Sequence, residues 1–90
     1  MKVKEFFETT KLRGTVYLME IRFDALNPHK SFFIGTNGYR ITHVENFDFG
    51  HEYITNKQFR NYANMEIVSM CACTSDYNCI LNIGCKREEN

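Results

Sequence analysis

Cysteine is the residue type in this sequence that offers the widest choice of chemistry, and all four cysteines lie near the C-terminal end. They are Cys71, Cys73, Cys79 and Cys85. Their thiolates could bind zinc, form disulfides or act as nucleophiles. Zinc sites in small domains usually use Cys-x-x-Cys pairs, because the turn between the cysteines lets two sulfurs converge on one metal ion. The sequence contains no such pair, so we expect neither a metal site nor a cofactor.

The spacing of Cys71 and Cys73 also argues against a metal site. On a β-strand they would share a face but lie roughly 7 Å apart, twice the rise per residue, which is too far for easy chelation. We therefore interpret the free cysteines as small apolar core residues.

The histidines, His29, His43 and His51, lie in separate segments without metal-site spacing. A Cys–His nucleophilic pair would have to be assembled by the fold, and nothing marks one cysteine as activated. We predict a protein that is not an enzyme.

The cysteines belong to a predicted C-terminal β-hairpin. Two apolar segments, residues 65–73 and 79–85, flank the polar residues 75–78, as in a hairpin with a loop of about four residues. The favoured register pairs Thr74 with Cys79, so that Cys71 and Cys73 face away from the core. The core-facing residues of the first strand are then all apolar: Val68, Met70 and Ala72.

A shift of one residue gives the alternative register, which pairs Cys73 with Cys79. Side chains alternate with period two, so the shift moves the odd-numbered residues to the core face. Ser69 would then join that face, which makes this register the less favoured one. Only here could a reversible Cys73–Cys79 disulfide form across the hairpin.

The N-terminal part changes from a helical to a strand pattern. Val3, Phe6 and Phe7 lie at positions i, i+3 and i+4 and predict a short amphipathic helix over residues 2–12, ending before Gly14. Residues 15–23 alternate and predict a strand whose odd-numbered side chains face the core. Residues 24–29, which contain the one proline, predict a connecting loop.

The middle of the chain contains the strongest turn signal. Asn37-Gly38 lies between two β-prone segments and predicts a hairpin with a type I′ turn, which would place Phe32 opposite His43. Residues 45–53 predict a loop. Thr55 followed by Gln58 fits a capping box and predicts a short second helix, with Phe59 and Tyr62 on one side.

This order of elements predicts the fold class. The 90 residues are enough for one domain with one modest core. Helix, strand, hairpin, helix and hairpin indicate a small α+β domain spanning residues 1–90. We expect a mainly antiparallel sheet of two hairpins plus one strand, with an N-terminal helix and a short second helix on one face.

Charge and hydropathy limit the function. Eleven basic and eleven acidic residues give a formal net charge of zero, which removes the long-range attraction to nucleic acids and anionic membranes. We therefore expect no strong nucleic-acid binding. We find no apolar leader and no run of apolar residues long enough to cross a membrane. These features predict a cytoplasmic protein whose cysteines are reduced.

The predicted loop over residues 45–53 is unusually rich in acidic and aromatic residues. Aromatic side chains in a surface loop are candidate anchors for a partner, and acidic ones would complement a basic surface, as on a nucleic-acid-handling enzyme. An alternative stays open for Phe47 and Phe49, whose rings could instead fold back onto the core. The candidate partner-binding residues are Glu45, Phe47, Asp48, Phe49, Glu52 and Tyr53.

Both ends of the chain resemble a diffuse class of short accessory proteins from phages and conjugative elements of Gram-positive gut bacteria. The resemblance lies in Val3-Lys4-Glu5-Phe6-Phe7, in Met65-Glu66-Ile67-Val68-Ser69 and in Cys79-Ile80-Leu81-Asn82-Ile83. Several such proteins, anti-CRISPR proteins among them, inhibit host defence by binding rather than catalysis. The cysteine-rich hairpin and the segment around Phe47 and Phe49 depart from the pattern, so the resemblance implies no functional residue.

Together these observations predict a small intracellular protein-binding module, with an inhibitor of a host defence nuclease as the specific hypothesis. Two alternatives belong to other classes: a nucleic-acid-associated accessory factor and a cysteine-dependent metal or redox protein. Zero net charge disfavours the first, and the lack of a Cys-x-x-Cys pair disfavours the second.

Overall fold

A computed structural model describes residues 1–24, 27–33, 38–75 and 78–87. These residues form an α+β domain, which confirms the predicted fold class. The helices are α1 (Val3–Thr9), α2 (Phe49–Thr55) and α3 (Lys57–Ala63), with a short 3-10 helix at Val44–Asn46. The strands are β1 (Thr15–Asp24), β2 (Asn27–Phe33), β3 (Tyr39–Ile41), β4 (Glu66–Ser75) and β5 (Asn78–Lys86). None of the described helices has the length and apolar content needed to cross a membrane.

The sheet is built around β1. The strand order is β2-β1-β5-β4, and β3 also pairs with β1. Strand β1 is parallel to β5, whereas the other three pairings are antiparallel. The sheet is therefore mainly antiparallel, as predicted, but its central pair is not.

The predicted middle hairpin is wrong. Phe32 pairs with Arg22 of β1 rather than with His43, and Ile41 pairs with Val16 of β1. His43 has left-handed backbone angles (φ 55°, ψ 60°) and precedes the 3-10 helix instead of extending a strand. Both segments pair instead with β1, which at ten residues is longer than either of them. A long-range contact thus overrides the local turn signal. Residues 34–37, including Asn37, lie outside the described residues.

The predicted loop over residues 24–29 is also largely strand. Asp24 ends β1 and pairs with Asn27, which begins β2. Pro28 therefore lies within a strand, which is tolerated because β2 is at the edge of the sheet. Residues 25 and 26 lie outside the described part of the chain.

The core face of β1 was predicted wrongly. The even-numbered residues Val16 and Leu18 belong to the main core cluster, with 1% and 0% of their surface exposed. The odd-numbered Ile21 is buried as predicted, with 8% exposed, but it lies outside that cluster. Tyr17 and Met19 are only partly buried. Both faces of this strand are apolar in sequence, so alternation alone could not distinguish the side that the helices cover.

The C-terminal hairpin adopts the favoured register. Thr74 pairs with Cys79, Cys71 with Asn82 and Cys73 with Ile80. The strands extend to Ser75 and from Asn78, so the connection is shorter than predicted, and its residues 76 and 77 are not described.

The burial predicted for Val68, Met70 and Ala72 of β4 is wrong, however. A bulge between Ile67 and Ser69 leaves Val68 37% exposed, and Ile67 contacts the core in its place. Met70 is 51% exposed and Ala72 is exposed as well, because the short helices do not cover this end of the sheet. On β5, by contrast, Ile83 is buried as expected.

The helix ends differ from the predictions by a few residues. Helix α1 ends at Thr9, five residues before Gly14. Gly14 instead precedes β1 with a positive φ of 99°, and its carbonyl accepts a hydrogen bond from the Val44 amide at 2.8 Å. The N-cap of α3 is Asn56, whose side chain accepts from the Phe59 amide at 3.1 Å, so the predicted cap at Thr55 is wrong by one residue.

The core lies between the helices and the even-numbered side of β1. Its centre is Phe59, which is fully buried. The sequence predicted that Phe59 and Tyr62 lie on one side of this helix, and both are buried. Around it pack the residues of one cluster: Val3, Phe6, Val16, Leu18, Ile41, Tyr62, Ala63, Met65, Ile83 and Cys85.

Candidate partner-binding surface

The segment predicted to be a partner-binding loop is mostly helical. Residues Val44–Asn46 form the 3-10 helix, and α2 starts at Phe49. Asp48 is the N-cap of α2, because its carboxylate accepts a hydrogen bond from the His51 amide at 3.1 Å. The prediction of a loop is therefore wrong. The sequence did contain a signal for the helix: an Asp cap followed by Phe49, Glu52 and Tyr53 at helical spacing.

The two phenylalanines of this segment pack against the core. Phe47 and Phe49 both meet Phe59 edge to face, with ring centroids 5.0 and 5.5 Å apart. Phe7 of α1 contacts both rings, at 5.9 and 6.5 Å. These contacts support the alternative in which the rings fold back onto the core. Their role in binding a partner stays a prediction.

Glu52 and Tyr53 lie on the same, inward side of α2. Tyr53 stacks on Phe49 with 5.8 Å between centroids, and its hydroxyl donates to the Asn64 side chain at 3.4 Å. Glu52 accepts a hydrogen bond from the Asn56 side chain at 3.2 Å. Burial raises the pKa of Tyr39, and the nearby Glu52 charge raises it further. Tyr53 thus links α2 to Asn64 at the end of α3, and Glu52 links it to Asn56 between the two helices.

The remaining acidic residues, Glu45 and Asp48, are exposed. Glu45 accepts a hydrogen bond from the Gly14 amide at 3.0 Å, and His43 lies 3.8 Å from its carboxylate. The pKa of Glu45 is lowered by two backbone amides, its own and that of Gly14, because both stabilise the charged form. Glu45 is therefore a negative charge held in a fixed position on the surface.

The outward side of α2 carries two residues that the sequence analysis did not select. His51 is exposed, and Ile54, one turn further along, is 74% exposed. Among the residues whose side-chain exposure the structure describes, no other large apolar side chain is as exposed as Ile54. It was missed because the selected segment ended at Tyr53. We call the four exposed side chains Glu45, Asp48, His51 and Ile54 the α2 surface.

The cysteines divide into three exposed residues and one buried residue. Cys71, Cys73 and Cys79 are exposed, so the interpretation of the free cysteines as core residues is wrong for these three, whereas Cys85 is fully buried. The favoured register had correctly placed Cys71 and Cys73 away from the core. Burial raises the pKa of the Cys85 thiol to about 12. The side chain of Asn82 lies 3.7 Å from the sulfur of Cys73. In the part of the chain that the structure describes, no three His, Cys, Asp or Glu side chains are grouped so that they could hold a metal ion.

No protein-family model matches this chain, and comparisons with curated proteins and with solved structures gave no match either. The geometry of the domain itself is therefore the basis for assigning a function. Its most distinctive surface feature near the predicted site is the exposed Ile54, in a segment that also carries the two fixed acidic residues Glu45 and Asp48.

Proposed function

We propose that this protein is a small protein-binding module that acts by contact without catalysis, and that a partner protein binds to the α2 surface. The observation that carries the proposal is the 74% exposure of Ile54 on a helix whose opposite side is fixed to the core. A large apolar side chain on a rigid helix can be buried by a partner with little further loss of conformational freedom. Ile54 is therefore the proposed anchor.

The exposed acidic residues in the segment before this anchor favour one kind of partner. Glu45 and Asp48 are exposed, and both are held in place by hydrogen bonds with backbone amides. Fixed negative charges at the rim of an apolar contact increase the association rate with a basic surface and select against an acidic one. A partner with a basic surface fits the α2 surface best.

Nucleic-acid-handling enzymes have such basic surfaces, since they must bind phosphate groups. We therefore propose a host defence nuclease as the partner, the class of target that the resemblance to mobile-element proteins also suggests. In this proposal the protein covers part of the surface that the nucleic acid would use. Inhibition would then require one bound protein for each nuclease site and no turnover.

The binding surface can be tested by recovering partners from a lysate of the source cell with three baits. These are the wild-type protein, Ile54→Arg, and Asn61→Arg as the matched control, since Asn61 is an exposed position of α3 outside the α2 surface. A partner that binds through the α2 surface should be lost with Ile54→Arg and kept with Asn61→Arg. Equal recovery with all three baits would refute the assignment of the surface.

The mode of action needs a second experiment with the recovered partner in purified form. If that partner is a nuclease, its activity should fall in proportion to added protein and reach its minimum near an equimolar ratio. Ile54→Arg should inhibit weakly, and added salt should weaken the inhibition because the charged rim is screened. Complete inhibition by a small fraction of an equivalent would indicate catalysis and contradict the proposal.

A further inference from the structure

Strand β4 lies at the edge of the sheet, and most of its outer side is open. The start of that side is covered by the N-terminal residues. The Ile67 amide donates to the Met1 carbonyl at 2.9 Å, and the Val3 amide donates to the Met65 carbonyl at 3.0 Å. Beyond Ile67, no strand among the described residues pairs with the outer side of β4. The free edge therefore begins at Val68 and continues to Ser75.

This free edge lacks the features that usually prevent pairing with another chain. Natural edge strands contain charged residues, proline or bulges that interrupt pairing. The other edge strand, β2, contains Pro28 and Lys30. From Ile67 to Ser75, by contrast, β4 has no charged residue and no proline, and its bulge lies before Ser69.

The surface beside this edge is apolar. Met70 is 51% exposed, and Ala72 is exposed on the same side of the strand. Ala72 also lines an open groove of about 400 Å³, together with Leu12, Val16 and Leu81 among others. An occupant of the edge would therefore gain both backbone hydrogen bonds and apolar contacts.

We propose that the occupant is a second copy of this chain, with β4 pairing antiparallel to β4 of that copy across a two-fold axis near Cys71 and Ala72. The two five-stranded sheets would then join into one continuous sheet. This inference does not rest on the α2 surface, because no residue of β4 belongs to that surface.

Self-pairing is favoured because the free edge is complementary to itself. A two-fold axis places each segment against an identical segment of the same length, and here no charge is opposed by a like charge. The axis also places Met70 and Ala72 of one copy beside the same two residues of the other. Their exposed apolar surfaces, and the two adjoining grooves, would then be continuous across the interface.

The two-fold geometry also brings thiols together, on the face of the sheet opposite to Met70 and Ala72. An axis perpendicular to the sheet keeps the faces of both copies aligned, so directly paired residues are either both odd-numbered or both even-numbered. With the axis at Cys71, this residue pairs with its own copy. With the axis at Ala72, Cys71 pairs with Cys73 of the second copy. Side chains that oppose each other directly have Cβ atoms about 4.5–5.5 Å apart, and a disulfide, with about 3.5–4.5 Å, requires the two strands to approach slightly.

The first test is the oligomeric state, measured by light scattering in the presence of reductant. The wild-type protein should be a dimer of 10.6 kDa chains at micromolar concentration, and high salt should not dissociate it because the interface carries no charge. Met70→Lys should be monomeric, since two like charges would meet near the axis. Ile54→Lys, the same kind of change at an even more exposed site, should stay dimeric. A monomeric wild-type protein, or a Met70→Lys variant that stays dimeric, would overturn the proposal.

The second test locates the axis with variants that keep only one of the three exposed cysteines, the other two being replaced by Ser. Diamide oxidises two facing thiols to a disulfide and takes up their two hydrogen atoms, becoming a hydrazine. An axis at Cys71 predicts a covalent dimer of the variant that keeps Cys71. An axis at Ala72 predicts a covalent dimer only when the variant that keeps Cys71 is mixed with the variant that keeps Cys73. Cross-linking through Cys79 or through Cys73 alone, or none in any mixture, would contradict the proposed axis.

Discussion

The ring of Phe47 meets the ring of Phe59 edge to face, with 5.0 Å between the ring centroids. Phe59 is fully buried, and Phe49 contacts the same ring from the start of α2 at 5.5 Å. One aromatic cluster thus connects the segment that the sequence marks as a binding site to the centre of the core. The rings can therefore be expected to affect stability directly and binding mainly through the position of α2.

Replacing Phe47 and Phe49 together by Ala should lower the free energy of unfolding by on the order of 3 kcal/mol, because both rings lose contacts with Phe59. Urea denaturation measures this change. Ile54→Ala is the matched control and should change stability by less than about 0.5 kcal/mol, since Ile54 is 74% exposed.

The same double variant separates packing from binding. If the rings only position α2, the folded fraction of the variant should still bind a partner through Ile54, with weaker affinity. Unchanged stability together with lost binding would contradict the core assignment of the rings and favour direct contact with the partner.

Some of this architecture could be predicted from local sequence. The apolar run Val68, Met70 and Ala72 favoured the register that pairs Thr74 with Cys79, and that register is present. The predicted position of Phe59 and Tyr62 on one side of a helix is also correct. In both cases the pattern depends on neighbours within a few residues along the chain.

What could not be predicted depends on distant contacts. Asn37-Gly38 is a strong local signal for a hairpin, yet Ile41 pairs with Val16 of β1, far away in sequence. The exposure of Met70 depends on how far the helices extend over the sheet, which no window of sequence contains. For the candidate site, periodicity around Asp48 could have indicated a helix, whereas the contact of Phe47 with Phe59 required the fold.

The fold should require neither metal nor disulfide. All four cysteines are free, and the core is built from apolar side chains around Phe59. Chelator plus reductant should therefore shift the midpoint of thermal unfolding by no more than a few degrees, as circular dichroism can show. Loss of the cooperative transition under these conditions would restore the metal or disulfide hypothesis.

Stability should fall at alkaline pH because of Cys85. Burial raises the pKa of its thiol from 9.0 to about 12, so between these values the folded state holds a proton that the unfolded state has lost. The free energy of unfolding should therefore keep this contribution below about pH 9 and lose it as the pH rises towards 12. The limiting slope for one proton is about 1.4 kcal/mol per pH unit.

Two variants identify the group responsible for this alkaline loss. Cys85→Ala should reduce the slope above pH 9, whereas Cys79→Ala, at an exposed site, should leave it unchanged. A smaller loss should remain in Cys85→Ala, because burial also raises the pKa of Tyr39 and of Tyr62. Identical slopes for the wild-type protein and Cys85→Ala would show that the thiol ionises equally in the folded and unfolded states.

Nucleic-acid binding should be weak and sensitive to salt. The eleven basic residues are distributed from Lys2 to Arg87 and are balanced by eleven acidic ones. Some of the basic groups are also engaged: Arg87 lies 2.8 Å from Glu20, and Arg60 donates to the carbonyls of Tyr53 and Ile54. Because the acidic residues balance the basic ones, there is no excess of cations to replace counterions on a phosphate backbone, and this replacement provides most of the affinity in non-specific binding.

Fluorescence anisotropy with labelled single-stranded and double-stranded oligonucleotides, measured over a range of salt concentrations, tests this expectation. Any binding at low salt should disappear by about physiological ionic strength, where charges further apart than roughly 8 Å are largely screened. The variant Ile54→Arg is a useful comparison, because it adds a cation at a site that is 74% exposed and lies outside the core. Sub-micromolar binding of the wild-type protein that resists salt would replace the protein-partner proposal with that of a nucleic-acid-associated accessory factor.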